Sequence, residues 1–269
     1  AHLYFEAAFV TKDGTFQQRF MGGSAGFGPG TITNKVTEKR DLDTLMQSYT
    51  IGANSHLGPI EVDYSHTEKR FDVDADRKPS YTYLAGTLPA GRYEHNVMPE
   101  FKSSTDTIRL HTNYTGRIVA SGTLSWTDKE NRGNSASADY FYGAADVTLM
   151  PIDRVTFFLK YRHKESDHDS PGTASIRNLN APFTLYSSLV YEPVSSVSDV
   201  FSAAVRFRAL PTLTVRGEFT FESIRRENSD LWNEPERTDK ATLLLSADMK
   251  IYKTLKLKLK YKHENINNP

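Results

Sequence analysis

The alternation that decides the fold is clearest in three stretches: residues 155–164 read VTFFLKYRHK, residues 213–222 read LTVRGEFTFE and residues 255–264 read LKLKLKYKHE. Apolar side chains recur at every second position, and Thr, Arg, Lys or Glu fill most positions between them, with Phe158 as an exception. A helix would scatter these charges around its axis, whereas a strand gathers them on one side. The sequence therefore predicts β-strands with one apolar and one charged face.

The same period of two covers most of the chain. Roughly twelve or thirteen strands are predicted, many of them about 11–14 residues long, compared with ~5–6 residues in a typical globular strand. No segment has the apolar stripe of an amphipathic helix. Further strands are expected at 45–57, 59–71, 105–114, 117–127, 138–150, 199–210 and 238–251, with weaker candidates at 2–10, 15–20 and 31–40.

The connections between these strands alternate in length. Short turns are expected at 57–59, 115–116, 151–154, 211–212 and 252–254, and long polar connections at 72–104, 128–137, 165–198 and 226–237. Gly, Pro, Asn and Asp are concentrated in both sets, as turns require. Short turns at one end of the strands and long loops at the other are typical of transmembrane barrels, which have short periplasmic turns and longer extracellular loops.

The predicted fold class is therefore all-β: an antiparallel up-and-down transmembrane β-barrel with about 12 strands visible. Residues 1–269 are expected to form a single barrel domain or a segment of a wider barrel, because the sequence opens and closes in apparent strand. The final residues, Asn267, Asn268 and Pro269, lack the terminal aromatic residue usual in bacterial barrels.

Composition narrows the class of protein. The 33 basic and 33 acidic residues balance, which argues against a nucleic-acid-binding protein because phosphate neutralisation requires a basic excess. Since the chain has no cysteine, it has no thiolate metal site, disulfide or CxxCH haem attachment. No stretch approaches the ~20 apolar residues of a membrane-spanning helix. A membrane β-barrel remains compatible with all of these exclusions.

The strands of a soluble β-sandwich or lectin-like barrel also alternate apolar and polar residues. The residues on the two faces therefore have to distinguish such a fold from a membrane barrel. Small residues such as Gly143, Ala203 and Gly217 on the apolar face would leave voids in a packed core but cost less against fluid lipid. Aromatic residues near strand ends on that face, including Tyr64, Trp126, Tyr161 and Tyr261, resemble the interfacial girdles of membrane barrels. These features favour the bacterial outer membrane as the location and lipid as a partner.

The charged face is interpreted as a pore lining or an inner docking wall. No GxSxG elbow, HExxH pair or nucleotide-binding glycine loop is present, so no catalytic, cofactor-binding or metal site is predicted and the protein is expected not to be an enzyme. Asp72, Asp74 and Asp76 only weakly match a calcium loop. The residues predicted to face the lumen are Arg109, Arg117, Lys160, Arg162, Arg206, Arg208, Arg216, Glu218, Glu222, Asp248, Lys256, Lys258, Lys260 and Lys262.

Four segments share a further pattern: TLSWTDKENRGN at 123–134, LKYRHKESDHDSP at 159–171, FTFESIRRENSD at 219–230 and LKYKHENINNP at 259–269. Each is an alternating strand with an aromatic residue, then a charged cluster, then Asn, Asp or Pro. In this style of repeat the sequence from residue 43 to 269 resembles the decahaem-associated outer-membrane proteins of the MtrB/PioB type. Many members carry a CxxC near the amino terminus, which this sequence lacks.

The resemblance implies a wide barrel that performs no chemistry itself. Such a barrel sheathes a multihaem c-type cytochrome and holds it in register with an extracellular cytochrome, so that electrons cross the membrane. Every haem would come from the partner, because this chain has no haem-attachment motif. Two other functions stay open: a substrate-diffusion porin with an open aqueous lumen, and a soluble carbohydrate-binding β-domain.

Overall fold

The structure, a computed structural model, describes residues 1–26, 32–73, 80–95, 98–114, 116–181, 185–252 and 255–268. Within these ranges the chain consists of β-strands, turns and a 3-10 helix at Ser229–Trp232. In the same ranges no helix is long and apolar enough to cross a membrane. The Asp74 and Asp76 of the weak calcium-loop match lie outside the described residues.

The described strands are numbered in chain order. They are β1 (His2–Gly23), β2 (Thr33–Leu57), β3 (Ile60–Val73), β4 (Ser80–Tyr83), β5 (Gly91–Glu94), β6 (Phe101–Tyr114), β7 (Ile118–Asn131), β8 (Ser137–Ile152), β9 (Val155–Asp169), β10 (Thr173–Arg177), β11 (Leu185–Leu189), β12 (Ser195–Leu210), β13 (Leu213–Glu227), β14 (Arg237–Lys250) and β15 (Lys256–Asn267).

Eleven of these strands form one sheet in the order β1-β2-β3-β6-β7-β8-β9-β12-β13-β14-β15. Every neighbouring pair is antiparallel, so the chain runs up and down without a crossover. This confirms the predicted all-β, antiparallel up-and-down architecture. In the described part no pairing joins β1 to β15, and the two run in the same direction because nine strands separate them.

The tight turns lie where glycine, proline and aspartate predict them. Leu57 pairs with Ile60 across Gly58-Pro59, and Gly58 has a φ of 64° that suits glycine. Leu210 pairs with Leu213 across Pro211-Thr212. Tyr114 pairs with Ile118, Ile152 with Val155, and the backbone N–H of Ile251 donates to the oxygen of Leu255 at 3.0 Å. Thr115, Lys253 and Thr254 of the predicted turns lie outside the described residues.

The amino-terminal part differs from the prediction. The weak candidates at 2–10 and 15–20 are one strand, β1, and the candidates at 31–40 and 45–57 are one strand, β2. The two strands pair continuously from His2 opposite Asn54 to Gly23 opposite Thr33. The polar and glycine residues that divide the sequence pattern at Lys12–Gly14 are accommodated within this hairpin, because they remain paired with residues 42–44 of β2, of which Leu42 and Thr44 are buried.

The long connections also contain structure that the alternation did not reveal. The connection predicted at 128–137 is short, since β7 continues to Asn131 and β8 begins at Ser137. The connection at 72–104 contains the hairpin β4–β5, and the one at 165–198 contains the hairpin β10–β11. Between β13 and β14 lies the 3-10 helix, flanked by Asn228 and Asn233 in the left-handed conformation.

The sheet is a single layer without a conventional core. The buried apolar residues of the described chain are Ala25, Leu42 and Tyr93 alone. The accessible surface is 18119 Å², whereas a compact monomer of this mass would expose about 12,000 Å². A β-sandwich would bury the apolar face of one sheet against another. This face has no such cover among the described residues, which argues against the soluble sandwich.

Candidate functional site

The charged face of the sheet is assembled by the strand register. In an antiparallel pair, directly opposed residues project to the same side. Arg206 lies opposite both Thr156 of β9 and Arg216 of β13, and Lys258 lies opposite Asp248. Following these pairs from β6 to β15 places the predicted strand residues on one face: Arg109, Lys160, Arg162, Arg206, Arg208, Arg216, Glu218, Glu222, Asp248, Lys256, Lys258, Lys260 and Lys262.

Arg117, the remaining residue of the predicted set, lies in the tight turn between β6 and β7 rather than in a strand. The register therefore brings thirteen of the predicted residues to one face and leaves Arg117 at its rim.

The opposite face is apolar and uncovered. Large apolar side chains are exposed on every strand from β12 to β15, including Phe201, Phe219, Leu245 and Leu259. Their exposed fractions lie between 44% and 60%, which is high for residues at the centre of strands. An uncovered apolar face of this extent marks a surface that meets lipid or another apolar partner.

Three of the aromatic residues predicted for a girdle, Tyr64, Trp126 and Tyr161, are exposed on this apolar face. Trp126 lies opposite Phe141, with ring centroids 5.5 Å apart. Tyr64 and Tyr161 each donate a hydrogen bond to an aspartate of the neighbouring strand, at 2.6 Å to Asp106 and 2.7 Å to Asp199. Rings with one apolar side and one polar end suit the boundary between a hydrocarbon layer and water.

The two tyrosine contacts belong to a repeated arrangement that the sequence reading missed. His66 lies two residues after Tyr64 and its Nδ1 is 2.9 Å from Asp106; His163 lies two residues after Tyr161 and its Nδ1 is 2.8 Å from Asp199. Each histidine is directly opposite its aspartate. The segments YSHTE, YRHKE and YKHEN carry the Tyr-x-His signal, but the aspartates are about forty positions away along the chain and only strand pairing joins them.

The charged face is divided into two arcs of different charge. On strands β1–β8, called here the balanced arc, five basic residues accompany five acidic residues. On strands β9–β15, called here the basic arc, thirteen basic residues accompany four acidic residues. The balanced residues are Lys12, Arg40, Lys69, Arg109 and Lys129 against Glu6, Glu38, Glu61, Asp63 and Asp146. The basic arc holds Lys160, Arg162, Lys164, Arg206, Arg208, Arg216, Arg226, Lys240, Lys250, Lys256, Lys258, Lys260 and Lys262 against Glu218, Glu222, Asp248 and Glu264.

Ion pairs compensate part of the basic arc. Lys258 lies 3.8 Å from Asp248, as the turn after Ile251 predicts, and Lys160 lies 3.8 Å from Asp146. In the described part of the chain, Arg162, Arg208, Lys256 and Lys260 have no carboxylate within 4.0 Å. The arc therefore presents a positive field.

The balanced arc is lined by hydroxyl groups at mid-strand. Thr50 and Thr67 are 2.9 Å apart, Thr105 and Thr127 are 3.0 Å apart, and Thr107 and Ser125 are 3.0 Å apart between their side-chain oxygens. Such cross-strand hydroxyl pairs stabilise a sheet while keeping its surface wettable.

The loops at one end of the sheet form a cap, defined here as residues 24–26, 80–95, 173–181 and 185–189. Antiparallel order places the connections after β3 and β9 at the same end, opposite the tight turns, as the meander predicts. The backbone N–H of Leu179 donates to the oxygen of Arg92 at 2.7 Å, and that of Ala25 donates to the oxygen of Leu84 at 2.8 Å. The segments of the cap are therefore joined to one another by backbone hydrogen bonds.

A cavity of about 560 Å³ lies within the cap, lined by Tyr83, Tyr93, Tyr186, Leu88 and Met21 among others. Tyr93 is buried, donates to the oxygen of Pro89 at 2.8 Å and accepts from Asn178 at 3.3 Å. Burial raises the pKa of the Tyr93 hydroxyl, so it remains protonated and keeps its hydrogen bond to Pro89.

His95 follows the β4–β5 hairpin and its ring is stacked on Phe20 of β1, with centroids 3.9 Å apart. Both ring nitrogens are buried without a hydrogen-bond partner among the described residues. Burial, which disfavours the charged imidazolium, lowers the pKa of His95, and nearby Glu38 and Arg40 act in opposite directions. The cap is therefore held to β1 by a neutral histidine.

Comparison with known proteins yields structural similarities only. No protein-family profile matches the chain, and no curated protein sequence matches it. Among solved structures, OmpT, an outer membrane protein of Vibrio cholerae, matches 97% of this chain and 89% of its own at 8% identity and a TM-score of 0.40.

Two further structures match in a similar way. The outer membrane channel DcaP of Acinetobacter baumannii matches 97% of this chain and 91% of its own at 10% identity and a TM-score of 0.40. A mutant of the monoaromatic hydrocarbon channel TodX matches 98% and 74% at 9% identity and a TM-score of 0.36. At TM-scores this low the three likenesses carry no argument about what this chain does.

Proposed function

We propose that this chain forms the wall of a bacterial outer-membrane β-barrel in which the apolar face meets lipid and the charged face lines an aqueous lumen for solute diffusion. The observation that supports this proposal is the pairing register of the strands. It places thirteen of the predicted charged residues on one side of the sheet and leaves uncovered Leu, Val and Phe side chains on the other. A lysine at the bilayer midplane costs roughly 2–4 kcal/mol on the lipid face, which decides the orientation.

The composition of the basic arc supports a water-filled lumen over a protein-filled one. Lysine is depleted from protein–protein interfaces, whose centres are apolar or aromatic. Lys256, Lys258, Lys260 and Lys262 are all exposed, and Tyr140 is one of the few large aromatic side chains exposed on the charged face. Solvated lysines on the basic arc and hydroxyl pairs on the balanced arc are both typical of a surface that water wets.

The second candidate is the cytochrome sheath implied by the resemblance to MtrB/PioB-type proteins. The observation that favours it is the pair of strand edges at β1 and β15, which have no partner strand in the described part of the chain. Such edges are compatible with a barrel wider than eleven strands, as a multihaem occupant requires. In that case the haem and the electron-transfer chemistry belong to a partner cytochrome and, at the cell surface, to an extracellular cytochrome.

Two measurements separate these candidates. The diffusion channel predicts that the purified, detergent-folded protein inserts into planar bilayers and conducts without any added partner. The sheath predicts that the protein extracted from its native membrane carries a stoichiometric haem-staining polypeptide. If the chain partitions into the soluble fraction and remains folded without detergent, both membrane functions are wrong.

A further inference from the structure

A row of donors crosses the basic arc at one level. Arg206 of β12 lies directly opposite Arg216 of β13, Arg216 opposite Ser246 of β14, and Ser246 opposite Lys260 of β15. Adjacent strands lie ~4.8 Å apart, so the row, called here the oxyanion row, spans three strand spacings. Its four side chains project to the same face.

The arginine pair at the centre of the row has an unusual charge arrangement. Like charges directly opposite each other destabilise a strand pair, yet Arg206 and Arg216 occupy such positions. Arg216 donates to Glu218 at 2.8 Å through one terminal nitrogen. Arg206 donates to the hydroxyl of Thr156 at 3.2 Å and has no carboxylate within 4.0 Å in the described part of the chain. One acidic residue therefore compensates two guanidinium groups.

Phe158 explains how the pair is held. It is the aromatic residue that interrupts the polar face of β9, and the guanidinium carbons of Arg206 and Arg216 lie 5.6 Å and 5.4 Å from its ring centre. Both distances are within the range of a cation–π contact. An aromatic surface beneath two guanidinium groups orients their N–H donors without neutralising them.

One of those donors is unused. The Nε of Arg216 is buried and has no hydrogen-bond partner among the described residues. Because this buried Nε is out of reach of a solute, the donors that a solute can meet are the terminal nitrogens of Arg216, whose side chain is 41% exposed. The arginine fork matches the geometry of carboxylate and phosphate oxygens.

Ser246 and Lys260, the other half of the oxyanion row, provide space and a further positive charge. Ser246 is small, so it leaves space between Arg216 and Lys260, and its hydroxyl is an additional donor. Lys260 is exposed and has no carboxylate within 4.0 Å in the described chain. The row thus offers two guanidinium groups, a hydroxyl group and an ammonium group along one line of the charged face.

We propose that the oxyanion row binds the carboxylate or phosphate group of a small solute that enters from the charged face. The inference rests on the proposed function in one respect, since it requires this face to be accessible to solutes. It adds a substrate class to the channel: small molecules that carry an oxyanion. Their shared chemistry is a planar or tetrahedral group of oxygens with negative charge.

The test is calorimetric titration of the full, detergent-folded chain with inorganic phosphate in one series and sodium succinate in another. The double variant Arg206→Gln/Arg216→Gln removes two charge-assisted donors, so binding is expected to weaken at least tenfold, since each such bond contributes roughly one decade or more. Arg109→Gln, on the balanced arc of the same face, is the matched control and should change affinity by less than about twofold. A second variant, Lys260→Gln, leaves the arginine pair intact and should weaken binding by a smaller factor.

The titration tests the oxyanion row, and a conductance measurement tests the proposed channel separately. Phosphate or succinate binding that depends on the arginine pair supports the row even if the protein forms no channel, in which case the proposed function is wrong. If neither solute binds, or if Arg109→Gln weakens binding as much as the double variant, the oxyanion row is wrong whether or not the protein conducts. If phosphate binds and succinate does not, the row selects tetrahedral oxyanions; the opposite order assigns it to carboxylates.

Discussion

Asp106 and Asp199 each accept hydrogen bonds from a tyrosine and a histidine on the neighbouring strand. The recurrence at two places, β3–β6 and β9–β12, indicates a unit of girdle structure rather than an isolated contact. The histidine in each unit also faces a glutamate, His66 at 3.4 Å from Glu68 and His163 at 3.9 Å from Glu165. A carboxylate that orients both rings fixes the polar edge of the apolar belt.

Replacing that carboxylate should destabilise the folded protein. Asp199→Ala removes the acceptor for Tyr161 and His163, and we expect a loss of about 1 kcal/mol, kept small because the site is partly exposed. The measurement is the temperature midpoint of loss of the β-sheet circular dichroism signal in detergent. Glu192→Ala, an exposed residue in the loop before β12, is the control. Equal midpoints for the wild type and the Asp199 variant would show that the girdle unit contributes no stability.

His95 makes the cap sensitive to acid. Its pKa is lowered by burial, so between this value and the ordinary value of about 6.5 the unfolded cap binds a proton that the folded cap does not. The free energy of cap opening therefore falls as pH falls below about 6.5.

Hydrogen exchange of residues 80–95 at pH 7.5 and pH 5 measures this effect. Exchange should accelerate at the lower pH beyond the intrinsic chemical dependence. His95→Phe keeps the ring stacked on Phe20 but cannot take up a proton, and it should abolish the additional acceleration. If the variant retains the full pH response, another group opens the cap.

At the scale of single elements, β15 offers the sharpest contrast between the two faces. Leu257 and Lys258 are neighbours on opposite faces, and Asp248 lies opposite Lys258. Leu257→Arg places a cation against lipid at a cost of roughly 2–4 kcal/mol near the midplane. Lys258→Leu removes an exposed ion pair, which is worth at most about 1 kcal/mol.

We therefore expect Leu257→Arg to reduce membrane assembly far more than Lys258→Leu. The measurement is the fraction of protein that acquires the heat-modifiable folded form after insertion into vesicles. Lys256→Leu, near the turn and on the same face as Lys258, is a second substitution on the charged face that should leave membrane assembly largely intact. A larger defect in Lys258→Leu than in Leu257→Arg would reverse the assignment of the faces.

Strands with sustained alternation could be predicted from the sequence because a period of two over ten or more residues has no helical equivalent. The hairpins β4–β5 and β10–β11 could not, since strands of four or five residues are too short for a period to be read. Gly14 and its polar neighbours divide the pattern of β1 without ending the strand. In these places cross-strand pairing, which sequence alone does not display, decided the structure.

The charged face was predictable in the same way, but its internal organisation was not. Alternation assigns Arg206 and Arg216 to one side of their strands. Their direct opposition depends on the register across the turn at Pro211. The opposition of His66 to Asp106 likewise depends on pairing across a long connection. Residues joined through such pairings carry no spacing signal along the chain.

At the scale of the whole molecule, the two ends of the sheet should face different compartments. The tight turns lie at one end and the cap at the other, and in outer-membrane barrels the longer loops are extracellular. Because the chain has no native cysteine, single-cysteine variants report each end without background.

On intact cells, a membrane-impermeant maleimide should label Ala85→Cys and Ala174→Cys in the cap. It should label Asp153→Cys, in the tight turn between β8 and β9, only after the outer membrane is permeabilised. All three positions are exposed in the fold, so a difference in labelling reports sidedness rather than burial. Labelling of Ala85 and Ala174 from opposite sides would contradict the up-and-down order of the sheet.

The division of the molecule into a lipid face and a lumen face is tested most directly by a spin-label scan of β15 in vesicles. Residues 256–262 are replaced one at a time by a labelled cysteine, and the accessibility of each label to oxygen and to a water-soluble nickel chelate is measured. Labels at 257, 259 and 261 should be relaxed by oxygen, and labels at 256, 258, 260 and 262 by the chelate. An alternation of the opposite phase, or no alternation at all, would contradict the assignment of the charged face to the lumen.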